Sequence, residues 1–164
     1  MEIHKLSKDD DLNEISRIYA ESWKFAYRNI IPQSYLVSIS EDSWVEYLAG
    51  PGRDSLVLLE NEKYIGTASY GQSRTAEFLN FGEIISIYLL PEYIGRGYGK
   101  FLFKAAVSEL SKLRYHDVFL WVLEENTCAR AFYEKNGFSL GRTVQEDVIG
   151  GKILREVMYF CHIG

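Results

Sequence analysis

A glycine-rich turn is the segment whose residue types and spacing are best suited to chemistry. It consists of Gly95, Arg96, Gly97, Tyr98, Gly99 and Lys100. Glycine at every second position removes side chains from one side of the turn, so that backbone N–H groups can converge on an anion beside the positive end of the following helix. The arginine and the lysine add positive charge. The turn therefore predicts a phosphate or pyrophosphate site, although glycines at this spacing also serve a plain tight turn.

The spacing of this turn differs from two common phosphate-binding motifs. A P-loop carries Ser or Thr after its Gly-Lys pair, whereas Phe101 follows Lys100 here. The dinucleotide fingerprint is G-x-G-x-x-G, whereas the turn reads G-x-G-x-G. The acidic residue further along the chain, Asp117, does not follow a second strand as a ribose-binding carboxylate should. These differences argue against a kinase and against a dehydrogenase.

A second motif runs from Asn126 to Phe138, after the buried-type strand Val118–Leu123. It has the pattern Asn-x-x-Ala-x-x-Phe-Tyr-Glu-Lys-x-Gly-Phe. Together with the strand Ile84–Leu90 and the glycine turn, it resembles the GNAT N-acetyltransferase superfamily, and the resemblance covers most of the chain in element order. It implies acetyl-CoA as co-substrate, held in a cleft between two strands of one sheet that splay apart, and no metal.

The resemblance also implies roles for individual residues. Backbone groups around Ile87 and Leu89 pair with the pantetheine amides as an added strand would, and the N–H groups from Gly95 to Lys100 hold the pyrophosphate. Asn126 matches a position that contacts the pantetheine arm, and Tyr133 matches the position that protonates the departing CoA thiolate. Ile94 departs from the family pattern, which has Gln or Arg there, so we expect weaker CoA binding.

The acceptor side is less specific in the sequence. Acetyl transfer by direct attack needs a neutral amine, and Glu83, at the start of the first cleft strand, is a candidate for accepting the ammonium proton. Glu124 and Glu125 are the alternatives. Trp23 and Tyr27 share one helix face and form a candidate cation–π wall for the amine, or else pack on the sheet. The function expected is N-acetylation of a small molecule or peptide amine, the alternatives being a non-catalytic acyl-CoA-binding regulatory module and a protein or N-terminal acetyltransferase.

The elements expected around these residues form a mixed α/β sheet, mostly antiparallel, with splayed central strands and flanking helices. The residue pattern predicts the order α α β β β α β α β β. Ser7 and the acidic residues after it predict a cap for the first helix, and a second helix is expected over Ser40–Ala49. Steady composition predicts a single domain over residues 1–164.

Composition limits the classes of partner. The 164 residues include 18 Lys and Arg against 23 Asp and Glu, a net charge of −5, which suits duplex nucleic acid poorly. No apolar run is long enough for a membrane span, and two cysteines without a CxxC motif favour the cytoplasm. The apolar run Val157–Phe160 permits a homodimer through the C-terminal strands, as in many members of the superfamily that the chain resembles.

Overall fold

The computed structural model describes residues Met1 to Gly164. One sheet collects all of its strands, which are β1 (Glu2–Lys5), β2 (Asp54–Glu60), β3 (Lys63–Gln72), β4 (Gly82–Leu89), β5 (Asp117–Leu123), β6 (Ser139–Ile149) and β7 (Lys152–His162). The helices are α1 (Leu12–Ala26), α2 (Gln33–Ser38), α3 (Val45–Ala49), α4 (Tyr98–Lys112) and α5 (Thr127–Lys135), with short 3₁₀ turns at Ala76–Phe78 and Pro91–Tyr93. None of the helices combines the length and the apolar character that crossing a membrane requires.

The sheet order β1-β2-β3-β4-β5-β7-β6 is antiparallel at every junction except that between β4 and β5. Those two strands run parallel and pair only through Gly82 with Val118 and Glu83 with Phe119. The register of β3 with β4 shifts where Ser69 and Tyr70 oppose Ser86 and Ile84, which leaves one extra residue on β4. Such a bulge bends its strand, so β4 turns away from β5. The predicted mixed sheet with splayed central strands is confirmed.

Helices cover both faces of this sheet. α4 packs its apolar face on the larger core, where Leu102, Phe103, Ala106 and Leu110 are buried against β3 and β4. α1 covers the opposite face, with Ile15 and Ile18 fully buried at helical spacing. Burying an isoleucine or leucine completely contributes about 1.5–3 kcal/mol. These two helices therefore hold the splayed strands from both sides.

Several local expectations are corrected. Asp11 and not Ser7 caps α1, since its carboxylate accepts from the N–H groups of Asn13 and Glu14, while Ser7 donates to Asp10. α3 begins only at Val45, because residues 40–44 form hydrogen-bonded turns. β1 and α2 were not expected at all.

The C-terminal strands also differ from expectation in what they expose. Within the run Val157–Phe160, Val157, Met158 and Tyr159 are buried in the chain's own core, and only Phe160 is exposed. The exposed apolar side chains of this hairpin include Val148 and Ile153, which face each other across the strand pair. A homodimer through these strands stays a prediction, and it would have to use those residues.

Candidate active site

The separation of β4 from β5 leaves one edge of β4 without a strand partner beyond Glu83. The Leu90 N–H donates to the Ile65 carbonyl at 2.9 Å. Backbone groups alternate in direction along an antiparallel pair, so those of Ile87 and Leu89 point towards the opening. One of them, the Leu89 carbonyl, accepts from Ser22 Oγ at 2.6 Å. The others form an open strand edge, as predicted for pantetheine binding.

The glycine turn follows at the end of this edge. Gly95 and Gly97 have φ of +81° and +89°, a left-handed conformation that side chains rarely adopt. α4 has no side-chain cap. The first backbone hydrogen bond of the helix runs from the Phe101 N–H to the Gly97 carbonyl at 3.3 Å. No N–H between residues 95 and 100 donates to another backbone group. Free N–H groups at a helix N-terminus fit a pyrophosphate.

Gly99 joins the turn to the rest of the cleft. A Cβ at this position would lie 3.5 Å from Leu89 Cδ1 on β4 and 3.5 Å from Phe132 Cε2 on α5. The N-terminus of α4 therefore lies beside both the open strand edge and α5. The segments predicted to hold the phosphates and the pantetheine arm are therefore adjacent.

The charged and apolar side chains of the turn lie in solvent. Arg96 is exposed, and its guanidinium lies 5.6 Å from the centroid of the Tyr93 ring. Lys100 is exposed on the first turn of α4, and Tyr98 is half-buried. Ile94, at the position where the family pattern has Gln or Arg, is 50% exposed. It directly precedes the glycine turn and contributes no polar side chain to it.

Asn126 and Tyr133 come from the second motif. Asn126 begins α5, where its side-chain oxygen accepts from the Ala129 N–H at 3.2 Å, which leaves its amide N–H₂ group free to donate to a ligand. Tyr133 packs its ring against Phe103, 5.7 Å between centroids. Its hydroxyl has no hydrogen-bond partner in the protein, and the oxygen keeps some access to solvent.

Tyr88, which the sequence analysis did not single out, links these residues to the acceptor side. Trp23 Nε1 donates to the Tyr88 hydroxyl at 3.0 Å. Because an indole N–H only donates, the proton of Tyr88 remains available to the Tyr27 hydroxyl, with which it interacts. Burial raises the pKa of the Tyr133 hydroxyl well above its usual value, and the Tyr88 hydroxyl adds to this rise. The structure thus brings Trp23, Tyr27 and Tyr133 together around Tyr88.

Trp23, Tyr27 and Tyr88 are each half-buried, so this cluster is partly open to solvent. Burial raises the pKa of the Tyr27 hydroxyl to about 12, the interaction with Tyr88 lowers it, and Tyr133 and Glu156 raise it further. The Tyr27 ring meets the Trp23 ring edge-on, with centroids 5.0 Å apart and planes at 82°. The two rings therefore meet at a corner. Both also pack on the apolar cluster that contains Leu123 and Leu154, as the packing alternative expects, and their role as a wall for an amine stays a prediction.

Glu83 lies where β4 and β5 separate, and it is fully buried. Arg74, in the connection between β3 and β4, donates to Glu83 Oε1 from Nη2 at 2.7 Å and to Oε2 from its backbone N–H at 2.9 Å. Both carboxylate oxygens are therefore occupied. Each of the two alternative carboxylates forms an ion pair of its own, Glu124 with Arg155 at 3.7 Å and Glu125 with Lys152 at 3.4 Å.

An open strand edge, an uncapped helix N-terminus and a buried phenol are features that fit an acyl-CoA-dependent transferase. The model of the acetyltransferase (GNAT) family matches residues 12–138. The chain therefore belongs to the GNAT family, and it is an acetyl-CoA-dependent N-acetyltransferase. The resemblance found in the sequence and the predicted co-substrate are confirmed.

Relatives and solved structures agree over most of the chain. The spermidine N(1)-acetyltransferase of Thermoplasma acidophilum is 29% identical over 163 residues, 97% of this chain and 98% of that protein. The crystal structure of PaiA N-acetyltransferase from Thermoplasma acidophilum in complex with coenzyme A superposes with a TM-score of 0.70 at 25% identity, covering 95% of this chain and 98% of that one. The ribosomal protein bS18-alanine N-acetyltransferase of Haemophilus influenzae is 34% identical over 85 residues, 52% of this chain and 54% of that protein.

Proposed function

We propose that this enzyme acetylates the primary amine of a small molecule by direct attack of the neutral amine. The observation that carries the proposal is the corner formed by Trp23 and Tyr27 beside Tyr88, on the side of the cleft opposite α4. Aromatic faces attract an ammonium group. The Thermoplasma acidophilum relative, which matches this chain over nearly its full length, is named for spermidine, a small amine.

The chain's own residues divide the work along the cleft. The backbone of Ile87 and Leu89 and the side-chain amide of Asn126 orient the pantetheine arm, and the N–H groups of residues 95–100 hold the pyrophosphate. Bound acetyl-CoA supplies the reactive thioester. Tyr133 donates its proton to the departing thiolate. Burial keeps this phenol protonated at neutral pH, and a thiolate formed in the same buried site is a stronger base than in water, because burial disfavours its charge as well.

The proton of the acceptor ammonium is assigned to Glu83. This carboxylate lies at the point where the two cleft strands part, which is the only place where the sheet itself presents a buried acid to the opening. Arg74 binds this carboxylate, but the Arg74 side chain is 58% exposed, so the guanidinium can turn towards solvent and let water reach Glu83.

The proposed location is the cytoplasm, since both cysteines are free thiols.

The test is an acetyl-transfer assay with purified protein, acetyl-CoA and a panel of acceptors. The panel holds small primary amines, amino acids and a peptide with a free N-terminus, and free CoA is measured as product. Turnover with small amines and none with the peptide supports the proposal. Turnover with the peptide alone would favour N-terminal acetylation instead. Binding of CoA without turnover on any acceptor would favour the non-catalytic module.

A further inference from the structure

Glu156 on β7 faces the acceptor side of the sheet. Side chains alternate between faces along a strand, and Leu154, two residues earlier, packs in a cluster with Ala20 of α1 and Leu36 of α2. Val157, the next residue, belongs to the core on the opposite face. The β5 partner of Glu156 is Leu123, which packs in the same cluster as Leu154. Glu156 therefore shares a face with α1.

Glu156 lies on the acceptor side, because its neighbours Leu123 and Leu154 belong to the cluster against which Trp23 and Tyr27 pack. Its charge contributes to the raised pKa of Tyr27, after burial and the two neighbouring tyrosines. It also contributes to the raised pKa of Arg74, after the hydrogen bonds that Arg74 donates to Glu83 and the charges of Glu83 and Tyr47. Tyr27 follows α1 and Arg74 lies in the connection between β3 and β4. The Glu156 carboxylate thus contributes to the raised pKa of both Tyr27 and Arg74.

The charges on this face do not balance. Arg74 is committed to Glu83 at 2.7 Å, and Glu156 forms no ion pair. Its side-chain partner is the uncharged amide of Gln145, whose Nε2 donates at 2.8 Å. The adjacent cation, Arg155, pairs with Glu124. Glu83, Glu156 and Arg74 together carry one net negative charge, and Glu156 lies on the face of the sheet where Trp23 and Tyr27 pack.

We propose that Glu156 binds a second ammonium group of the acceptor, so that the acceptor class is a diamine or polyamine. The inference rests on the proposed function and extends it, because it adds a charged anchor to the aromatic corner. A half-buried carboxylate without a cation partner gains a charge-assisted hydrogen bond from such a group. The reacting amine and the anchored amine then occupy opposite ends of one extended molecule.

The experiment compares 1,4-diaminobutane with butylamine, which has the same carbon chain and one amine. The wild-type enzyme is expected to prefer the diamine in kcat/KM by at least about tenfold, or about 1.4 kcal/mol. In Glu156→Gln this preference falls to near unity through a higher KM for the diamine. The kinetic constants for butylamine and the KM for acetyl-CoA stay unchanged. Glu146→Gln, an equal charge change on the neighbouring strand and outside the site, keeps the preference.

A preference that survives in Glu156→Gln overturns the inference. So does an equal loss of kcat for both amines, since Glu156 would then act on the reacting amine. Binding is measured separately by titrating 1,4-diaminobutane into the CoA complex. Tight binding to the wild type and weak binding to Glu156→Gln supports the anchor even if no amine is turned over, in which case only the proposed function fails. Equal binding to both proteins overturns the anchor.

Discussion

Arg74 donates hydrogen bonds to Glu83 from its guanidinium and from its backbone N–H, so that one residue satisfies both oxygens of a buried carboxylate. The carboxylate is 1% exposed, while the side chain of Arg74 is 58% exposed. This asymmetry means that the pair opens only by movement of Arg74. The connection between β3 and β4 therefore controls access to the proposed proton acceptor.

Replacing Glu83 separates a chemical role from a structural one. We expect Glu83→Gln to lower kcat/KM by about 10²-fold at neutral pH, because proton transfer by a placed side chain contributes about that much. Stability should fall by only about 1–3 kcal/mol, since Arg74 can turn to water. Rates and Tm measured on the same samples test this.

Arg74→Gln is the matched variant for the same ion pair. It removes the guanidinium but keeps the backbone N–H bond to Oε2, so Glu83 stays in place and its Oε1 becomes available to the acceptor ammonium. The enzyme should therefore stay active where Glu83→Gln is not, and kcat/KM measured for both variants at neutral pH tests this. A Glu83→Gln enzyme of full activity would remove Glu83 from the reaction.

Tyr133→Phe should remove the acid without disturbing the fold. The hydroxyl bonds to no protein group, and the ring keeps its contact with Phe103. We expect kcat to fall about 10²-fold with the Kd for CoA and the Tm nearly unchanged. Tyr159→Phe is the control, because its hydroxyl donates to Glu134 at 2.7 Å and accepts from Arg130 at 3.1 Å. It should lose stability and keep kcat.

The pH dependence of the wild type provides a second check on Tyr133. Burial raises the pKa of this hydroxyl above 10, and the acid is present only below that pKa. Activity should therefore show no loss from this group as pH rises to 10. An alkaline limb between pH 8 and 9 that disappears in Tyr133→Phe would contradict the structural environment of the residue.

The sequence predicts the parts of the site that are local in the chain. The glycine turn and the segment from Asn126 to Phe138 are continuous motifs. The spacing of the turn predicts a phosphate site, and the resemblance to the GNAT superfamily implies the role of Tyr133 as the acid. The helical spacing of α1 likewise places Trp23 and Tyr27 on one face. Each of these depends on neighbours within a few positions.

The parts that the sequence does not predict depend on tertiary pairing. β1 is a four-residue edge strand, Glu2–Lys5, with three polar residues, and its partner β2 lies far along the chain. The bulge in β4 falls within a run of isoleucines that shows no break. The ion pair of Arg74 and Glu83 forms across a chain reversal, and Glu156 lies on the same face of the sheet as Tyr27 only because β7 pairs with β5.

Gly97 should be required for CoA binding through its backbone conformation. A side chain at φ +89° costs about 1–2 kcal/mol, although open space surrounds the position. We expect Gly97→Ala to raise the Kd for CoA at least about tenfold, because the residue sets the directions of the first N–H groups of α4. Gly52→Ala is the matched control, since Gly52 has φ +91° and equally open surroundings. Both variants should lower the Tm alike, and only Gly97→Ala should weaken CoA in calorimetry.

Ile94→Arg should strengthen CoA binding. Ile94 is 50% exposed beside the free N–H groups of the turn, and a guanidinium there gains a charge-assisted contact with the pyrophosphate. We expect the Kd for CoA to fall about three- to tenfold at low ionic strength, and the gain to shrink in high salt, where exposed charges are screened within about 3–8 Å.

Leu113→Arg distinguishes a local contact from a general charge effect. Leu113 is 49% exposed at the opposite end of α4, so the substitution changes the net charge from −5 by the same amount. Only Ile94→Arg should improve binding. An equal improvement in both variants would attribute the effect to the net charge of the protein. No improvement in either would mean that the backbone amides of residues 95–100 already provide all of the phosphate contacts that this position can reach.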